Sequence, residues 1–243
     1  DEGFSETVTT SSVEIPIELV IRGNSLYTIV DGPSWAEAEA NSNKLGGHLV
    51  TINDDEENQF VYEKIESGSF NNPIWIGFSD HLEEGVWKWS SEEDVSFTNW
   101  SNTEPNDSDY QGRGEDFAVM YSNTDSNGRW NDQHSFRLED NVTAEGMAET
   151  PFIRRGDSAY VIVEGPTWEE AEANANKLGG HLVTINDADE NNFLYGFKEE
   201  NELGKWIGLT DKNNEGQWEW SSGEVSSFNA WDLNQPDDHV DPH

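Results

Sequence analysis

The octapeptide Gly47-His48-Leu49-Val50-Thr51-Ile52-Asn53-Asp54 recurs without change as Gly180-His181-Leu182-Val183-Thr184-Ile185-Asn186-Asp187, an offset of 180 − 47 = 133 residues. A period of that length is the size of a whole domain rather than of a solenoid unit, so the chain is expected to fold as separate beads, each with its own core. Trp35 and Trp168 keep the same offset, whereas Trp75/Trp206, Trp87/Trp218, Trp89/Trp220 and Trp100/Trp231 pair at 131, so the second copy is 133 − 131 = 2 residues shorter between Asn53 and Trp75.

The repetition also sets boundaries. Val13-Glu14-Ile15-Pro16-Ile17 echoes Ala148-Glu149-Thr150-Pro151-Phe152, which precedes the second copy and reads as the last strand of the first. Residues 1–21 are therefore expected to be the closing strand of a preceding repeat plus a linker, and residues 22–153 a first domain. Residues 154–243 read as a second domain truncated at its C-terminus, because the chain stops just past Gln235-Pro236-Asp237, before any counterpart of Glu115 or of Trp130-Asn131-Asp132.

Within each copy the local signals run from a strand through two helices to short strands and loops. Alternation predicts strands over 24–30 and 158–163, and Ser34-x-x-Glu37 and Thr167-x-x-Glu170 are capping boxes that open helices running to Lys44 and Lys177. Gly46-Gly47 and Gly179-Gly180 stop those helices by supplying left-handed backbone. Second helices are predicted from about Asp54 to Ile65 and from Asp187 to about Lys198, with Phe60 and Phe193 on their buried sides. Short strands and long polar loops around tryptophans fill the rest, and a polar stretch as long as Ser90 to Glu115 either carries function or stays disordered, with metal coordination as what would order it.

That loop region contains Glu104-Pro105-Asn106, then Gly114-Glu115-Asp116, then Trp130-Asn131-Asp132. Carboxylates and side-chain amides suit a hard cation such as Ca2+, which takes about 6–8 oxygen ligands. An X-Pro bond adopts the cis form far more readily than others, and a cis turn would aim the Glu104 and Asn106 oxygens to the same side.

These motifs strongly resemble the calcium and sugar site of the C-type lectin domain family, in which an EPN loop, a following Glu and a WND strand together hold Ca2+. Trp75-Ile76-Gly77-Phe78 and Trp206-Ile207-Gly208-Leu209 are similar to that family's core WIGL strand. The resemblance implies an α+β C-type lectin fold, in tandem, with two helices packed on short antiparallel sheets and a long calcium-binding loop region. It assigns Glu104, Asn106, Glu115, Asn131 and Asp132 as main-site calcium ligands, and Asp80, Glu84, Asp107 and Asp116 as an auxiliary calcium position. In the second copy Asp211, Glu215 and Asp238 hold the matching spacings, joined by Gln235 and Asp237.

The same resemblance implies that Glu104, Asn106, Glu115 and Asn131 also bond sugar hydroxyls, with Tyr110 in the enlarged loop as an aromatic platform. In the family Glu-Pro-Asn accompanies sugars of the mannose, glucose or fucose kind, and Gln-Pro-Asp accompanies galactose, so the two copies are expected to differ in ligand. The chain departs from the animal members in having no cysteine, which points to a bacterial lineage.

Composition narrows the partners. Thirteen basic against 50 acidic side chains give 13 − 50 = −37, which argues against nucleic acid and anionic membrane surfaces and draws cations close. Eleven tryptophans are too many for a disordered acidic chain, and those at 35, 75, 87, 89, 100 and 130 are assigned to core. His48 and His181, in the repeated strand, are read as structural.

The function expected is calcium-dependent binding of glycans or glycoconjugates, in adhesion, by a secreted or cell-surface protein whose neighbouring repeats raise avidity by about 10²–10⁴. The alternative is a structural, protein-binding or ice-binding repeat in which calcium only rigidifies loops. A glycosidase would need one of its paired carboxyls in an apolar pocket, whereas the candidates here sit in polar loops, so no enzyme is expected.

Overall fold

A computed structural model describes residues 20–67, 73–108, 112–121, 128–135, 145–197 and 204–236. The first segment runs β1 (Val20–Arg22), β2 (Ser25–Asp31), α1 (Trp35–Lys44), β3 (His48–Leu49), α2 (Asp55–Ser67), β4 (Ile74–Ser79), β5 (Lys88–Trp89), β6 (Phe117–Met120), β7 (Trp130–Gln133) and β8 (Glu145–Pro151). The second continues with β9 (Ile153–Arg155), β10 (Ser158–Tyr160), α3 (Trp168–Lys177), α4 (Ala188–Tyr195), β11 (Leu209–Thr210) and β12 (Glu219–Trp220). The α+β class expected from the sequence is the class observed. No helix among the described residues is long and apolar enough to cross a membrane.

The capping boxes form as predicted. Ser34 and Thr167 each accept the backbone N–H of the glutamate three residues on, at 3.3 Å, and each hydroxyl donates back to that carboxylate at 2.8 Å. Asp54 and Asp187 cap the second helices through Glu57 N and Glu190 N, at 2.7 and 2.8 Å. Gly46 and Gly179 end the first helices with φ of 82° and 73°.

The main sheet has the order β1-β2-β8-β4-β6-β7, with β3 on β8 and β5 on β4. Every residue of β4 is buried, because the strand lies between β8 and β6 with a core cluster on each side. One cluster gathers Val50, Ile52, Val61, Ile65, Ile76, Phe78, Trp89 and Trp130, and the other Leu26, Val30, Trp35, Leu45, Leu49 and Trp75. Gly77 in β4 has no alternative: a Cβ there would lie 2.5 Å from the Leu49 carbonyl oxygen and 2.9 Å from Ser90 Oγ. Trp35 and Trp75 tie loop to strand with indole N–H bonds to the carbonyls of Ile76 and Gly32, at 2.8 and 3.1 Å.

Trp168 and Trp206 repeat those two bonds at the same lengths on Ile207 and Gly165. Burial does not repeat. Trp75 is 1 % exposed but Trp206 is 51 % exposed, and Trp218 and Trp231 are 38 % and 41 % exposed. The difference has a topological cause: in the first segment β6, β7 and β8 cover the equivalent residues, and the described part of the second segment has no counterpart of them. Strand β10, predicted to reach Val163, is observed to end at Tyr160, whereas β2 runs on through seven pairings with β8. Helix α4 ends at Tyr195; Lys198, its expected end, lies outside the described residues. The expected limits at 21/22 and 153/154 fall inside β1 and β9.

Two polar clusters, the first partly exposed, hold β3 and β8 in place. His48 Nδ1 lies 2.7 Å from Glu39 Oε1, whose other oxygen accepts Leu49 N and Ser90 Oγ, and His181, Glu172, Leu182 and Ser221 repeat the arrangement. Both histidines are thus part of the scaffold. In the second cluster Tyr27 Oη lies 2.8 Å from Glu57 and 3.1 Å from Glu149, between α2 and β8.

Burial, with the nearby charge of Glu57, pushes the Glu149 carboxyl above its ordinary range, against hydrogen bonds from Ser25, Tyr27 and Thr51 that favour the anion. A raised carboxyl binds its proton more tightly in the fold than in the unfolded chain, so its contribution to stability is fully present below the unfolded value and is lost as pH rises through the folded value. Glu149→Gln is therefore expected to flatten the decline of Tm as pH rises above the ordinary glutamate range, which thermal melts at fixed calcium would measure. A mutant whose melts track wild type at every pH would show that Glu149 does not cause the slope.

Candidate functional site

The site is built where β6 and β7 pair, with Ala118 opposite Asp132 and Val119 opposite Asn131. Trp130 anchors β7: its side chain is fully buried, it donates from Nε1 to Asn58 Oδ1 at 2.8 Å, and it packs edge-on against Phe78, Trp89, Phe97 and Trp100. Alternation along the strand then buries Asp132 as well, while Asn131 stays half-buried.

Asp132 does more than present an oxygen. Its Oδ2 accepts the backbone N–H of Asn106 at 2.8 Å and of Asp107 at 2.7 Å, which pins the Glu104-Pro105-Asn106 loop to β7. Its Oδ1 is buried and has no hydrogen-bond partner. The Glu104–Pro105 peptide is cis, and the Asn106 amide donates to Glu104 Oε2 while its oxygen accepts Ser108 N at 2.9 Å. Burial and the adjacent Asp132 carboxylate raise the Glu104 carboxyl above its ordinary range. Asn131 turns its amide onto the Asp132 carbonyl.

Beside this pair lies a second carboxylate cluster. Glu84, Asp107 and Asp116 each place an oxygen within 4.8 Å of the others. Asp80, immediately after β4, accepts Gly85 N through Oδ2 at 2.9 Å, and its Oδ1 is buried with no hydrogen-bond partner. Burial raises the Asp80 carboxyl, and the charges of Asp116 and Asp107 raise it further; Glu84 is raised by desolvation and by Asp80, Asp107 and Asp116. Asp107 joins the two clusters: its backbone N–H is held by Asp132, its Oδ1 accepts Glu115 N at 3.0 Å, and its φ of 53° is left-handed. Glu115 is buried next to it.

The chemistry of these donors fits a hard divalent cation. Carboxylates this close repel one another, and a buried carboxylate oxygen without a donor is costly. Asp80 Oδ1 and Asp132 Oδ1 are two such atoms, one in each cluster. Oxygen-only donors of this number and charge are those calcium takes.

Of the nine candidates in the first copy, Glu84, Asp107 and Asp116 are grouped with Asp80 beside them, and Glu104, Asn106 and Asp132 form the neighbouring group. Glu115 bonds Asp107 through its backbone, Asn131 turns its amide to the Asp132 carbonyl, and Tyr110 lies outside the described residues. In the second segment Asp211 accepts Gly216 N at 3.0 Å, as Asp80 accepts Gly85 N, and Gln235–Pro236 is cis. Glu215 lies in the same turn, while Asp237 and Asp238 are outside the described residues. The sequence reading missed Gly85 and Gly216 as the turn residues that seat these aspartates, with φ of 75° and 74°; the recurring Glu-Gly at 84–85 and 215–216 was the signal.

Comparison with known proteins shows which family the sequence matches. The model of the Lectin C-type domain family matches residues 31–141 and 164–242. C-type mannose receptor 2 of Homo sapiens is 24 % identical over 227 residues, covering 86 % of this chain and 15 % of the receptor, so the chain spans a small part of that protein. A Perlucin-like protein of Mytilus galloprovincialis is 32 % identical over 111 residues, 45 % of this chain and 67 % of that one. The Type-2 ice-structuring protein of Hemitripterus americanus is 38 % identical over 82 residues, 34 % of this chain and 47 % of that one. Among solved structures, the cow C-type carbohydrate-recognition domain of CD23 aligns at a TM-score of 0.47 and 24 % identity, over 56 % of this chain and 95 % of its own.

Proposed function

The chain belongs to the C-type lectin domain family, and from that premise we propose that its first segment is a calcium-dependent sugar-binding module for mannose-, glucose- or fucose-type hydroxyl pairs. C-type lectin domains are binding modules and not enzymes. The observation that carries the reading is the pairing of Glu104 and Asn106 beside the unpartnered Asp132 Oδ1: an acceptor, a donor and a cation-seeking oxygen on one short loop and strand.

Glu104, Asn106, Glu115, Asn131 and Asp132 would hold the main Ca2+, and Asp80, Glu84, Asp107 and Asp116 an auxiliary one. When bound, calcium supplies a Lewis-acidic centre that takes a lone pair from each of two adjacent sugar hydroxyls. The protein's share is hydrogen bonding: Glu104 and Glu115 accept from those hydroxyls, and the amides of Asn106 and Asn131 donate to them. The Asn106 amide donates to Glu104, so the loop holds the two groups in mutual register.

The raised Glu104 carboxyl has the same origin as the cation site, since Asp132 shares its space, and it needs no catalytic role. By the family's pattern, in which Gln-Pro-Asp accompanies galactose, Gln235-Pro236-Asp237 would give the second segment galactose-type sugars in this reading. Two such modules in series, in a secreted or cell-surface protein of bacterial type, would serve adhesion through avidity.

Likeness to the ice-structuring protein supports a second reading, in which calcium only orders the loops. Calorimetric titration separates them from the start. Ca2+ should bind with micromolar to millimolar affinity and raise Tm, by about 2.7 kcal/mol of stability at 100 times its Kd. Mannose should then give heat only in calcium and none in EDTA. Calcium heat without sugar heat would select the second reading, and no calcium heat with an unmoved Tm would sink both.

A further inference from the structure

The repeat length predicts two beads, each with its own core, yet the two segments touch. Strand β8 ends at Pro151 and β9 begins at Ile153; the single residue between them, Phe152, is buried and donates its N–H to Asn24 O at 2.9 Å. Further on, Glu164 donates its N–H to Lys44 O at 2.9 Å, a backbone bond from the second segment to the last residue of α1. Beside that bond, a Cβ at Gly46 would lie 2.3 Å from Ile162 O and 3.2 Å from Val161 Cγ1, so only glycine fits there. Leu178, the C-cap of α3, falls in the same buried cluster as Leu45, Leu49, Trp35 and Trp75, and Val161 and Val163 pack against that cluster. One of the first segment's two cores thus runs on into the second.

The contact uses one particular edge of the chain, which the first segment identifies. In the β2–β8 ladder Ser25–Pro151 and Ile29–Met147 are non-hydrogen-bonded pairs, because Phe152 N bonds Asn24 O and Met147 O accepts Val50 N. Asp31–Glu145, two residues on, has the same phase, so Ile29 and Asp31 point their N–H and C=O groups away from β8. Ile162 and Glu164 hold the same positions in the second copy, 162 − 29 = 164 − 31 = 133, and theirs are the backbone groups that meet Gly46 and Lys44. The seam therefore lies on the edge opposite to the one β8 takes in the first segment, and it is the same whether or not a strand covers that other edge.

We infer that the edge at Val161–Glu164 is a docking surface for the C-terminal turn of α1, and that it locks the two segments into one rigid body with a fixed mutual orientation. Domains in one chain move relative to one another unless an apolar interface holds them, and here apolar packing, a backbone bond and a one-residue connection act together. On the sugar-binding reading above, the loops at Pro105 and Pro236 are then carried at a set separation. Two-site binding would favour ligands whose sugar termini match that separation, because the effective concentration of the second site is no longer averaged over a flexible linker.

The test uses the whole chain in EDTA and reads neither calcium nor sugar, so its failure is separable from failure of that reading. The sequence has no cysteine, so Gln59→Cys on α2 and Asn192→Cys on α4, both exposed, take one spin label each. Pulsed electron paramagnetic resonance on this pair should give a single narrow distance distribution. Gly46→Ala in the same background should lose that narrow peak, because the new methyl meets Ile162 O. Gly223→Ala is the control: its φ of 75° carries the same left-handed cost as the 82° of Gly46, but nothing lies within 4 Å, so the peak should stay. Val161→Asp attacks the seam from the other side with a buried charge and should also lose the peak, so the proposal stays testable if one of the two variants fails to fold. A broad distribution in the parent pair would overturn the proposal, and so would Gly46→Ala or Val161→Asp, folded, keeping the peak of Gly223→Ala.

Discussion

Asp132→Ala is expected to weaken Ca2+ binding at the main site by more than about 100-fold and to abolish sugar binding, the largest single-residue effect the site offers. The carboxylate is fully buried, holds the Asn106 and Asp107 N–H groups, and keeps an unpartnered oxygen beside Glu104. Truncation removes one ligand outright. It also releases the loop that positions Glu104 and Asn106, and leaves two backbone donors to find water or stay unpaired at about 1–3 kcal/mol each. Asp132→Asn separates these contributions, because the amide keeps an acceptor for the loop and loses the charge; it should fold like wild type and fall between the two in calcium affinity. Isothermal titration of all three proteins, with melts in EDTA as a control for folding, decides the matter. Wild-type calcium affinity in Asp132→Ala would place the cation elsewhere.

The reach of the sequence into this site depended on whether a feature is local. Ser34 with Glu37, and Thr167 with Glu170, act within one helical turn, so their pattern and their geometry coincide. Glu104 and Asn106 are likewise neighbours, and their contact could be read from the motif around Pro105. Asp107 could not be read in the same way. Its place as the link between two carboxylate clusters depends on Asp132, 132 − 107 = 25 residues away, and on a left-handed backbone that the residue type does not announce. Trp75 and Trp206 make the limit plainest: they share a motif and an indole hydrogen bond, yet differ from 1 % to 51 % in exposure. Their burial is decided by strands that come later in the chain, and local sequence carries no trace of that.

Exchanging the polarity of the loop is expected to exchange the sugar. Glu104→Gln together with Asn106→Asp conserves net charge and oxygen count, and it reverses the bond between the two side chains. At present the amide sits on Asn106 and donates to the carboxylate of Glu104; after the exchange the amide at the first position donates to the carboxylate at the second. The Ser108 N–H keeps an acceptor, since the new carboxylate supplies the oxygen that Asn106 supplies now. The loop should therefore keep its shape and calcium affinity within a few-fold, while each sugar hydroxyl meets a donor where it met an acceptor. A hydrogen bond misplaced in this way costs about 0.5–1.5 kcal/mol, and more if a polar group is left unpaired, so two of them should shift relative preference by more than about tenfold. On a glycan array in saturating calcium, wild type should favour mannose-, glucose- or fucose-type termini and the double variant should move towards galactose. A variant that binds calcium normally and keeps the wild-type sugar preference would show that the loop's donor and acceptor order does not set specificity. An array silent for wild type would shift the reading to ordered loops without a sugar. The exchange is informative because it alters hydrogen-bond direction and almost nothing else: a loop that merely solvates its charges, or merely rigidifies around calcium, has no reason to respond to it.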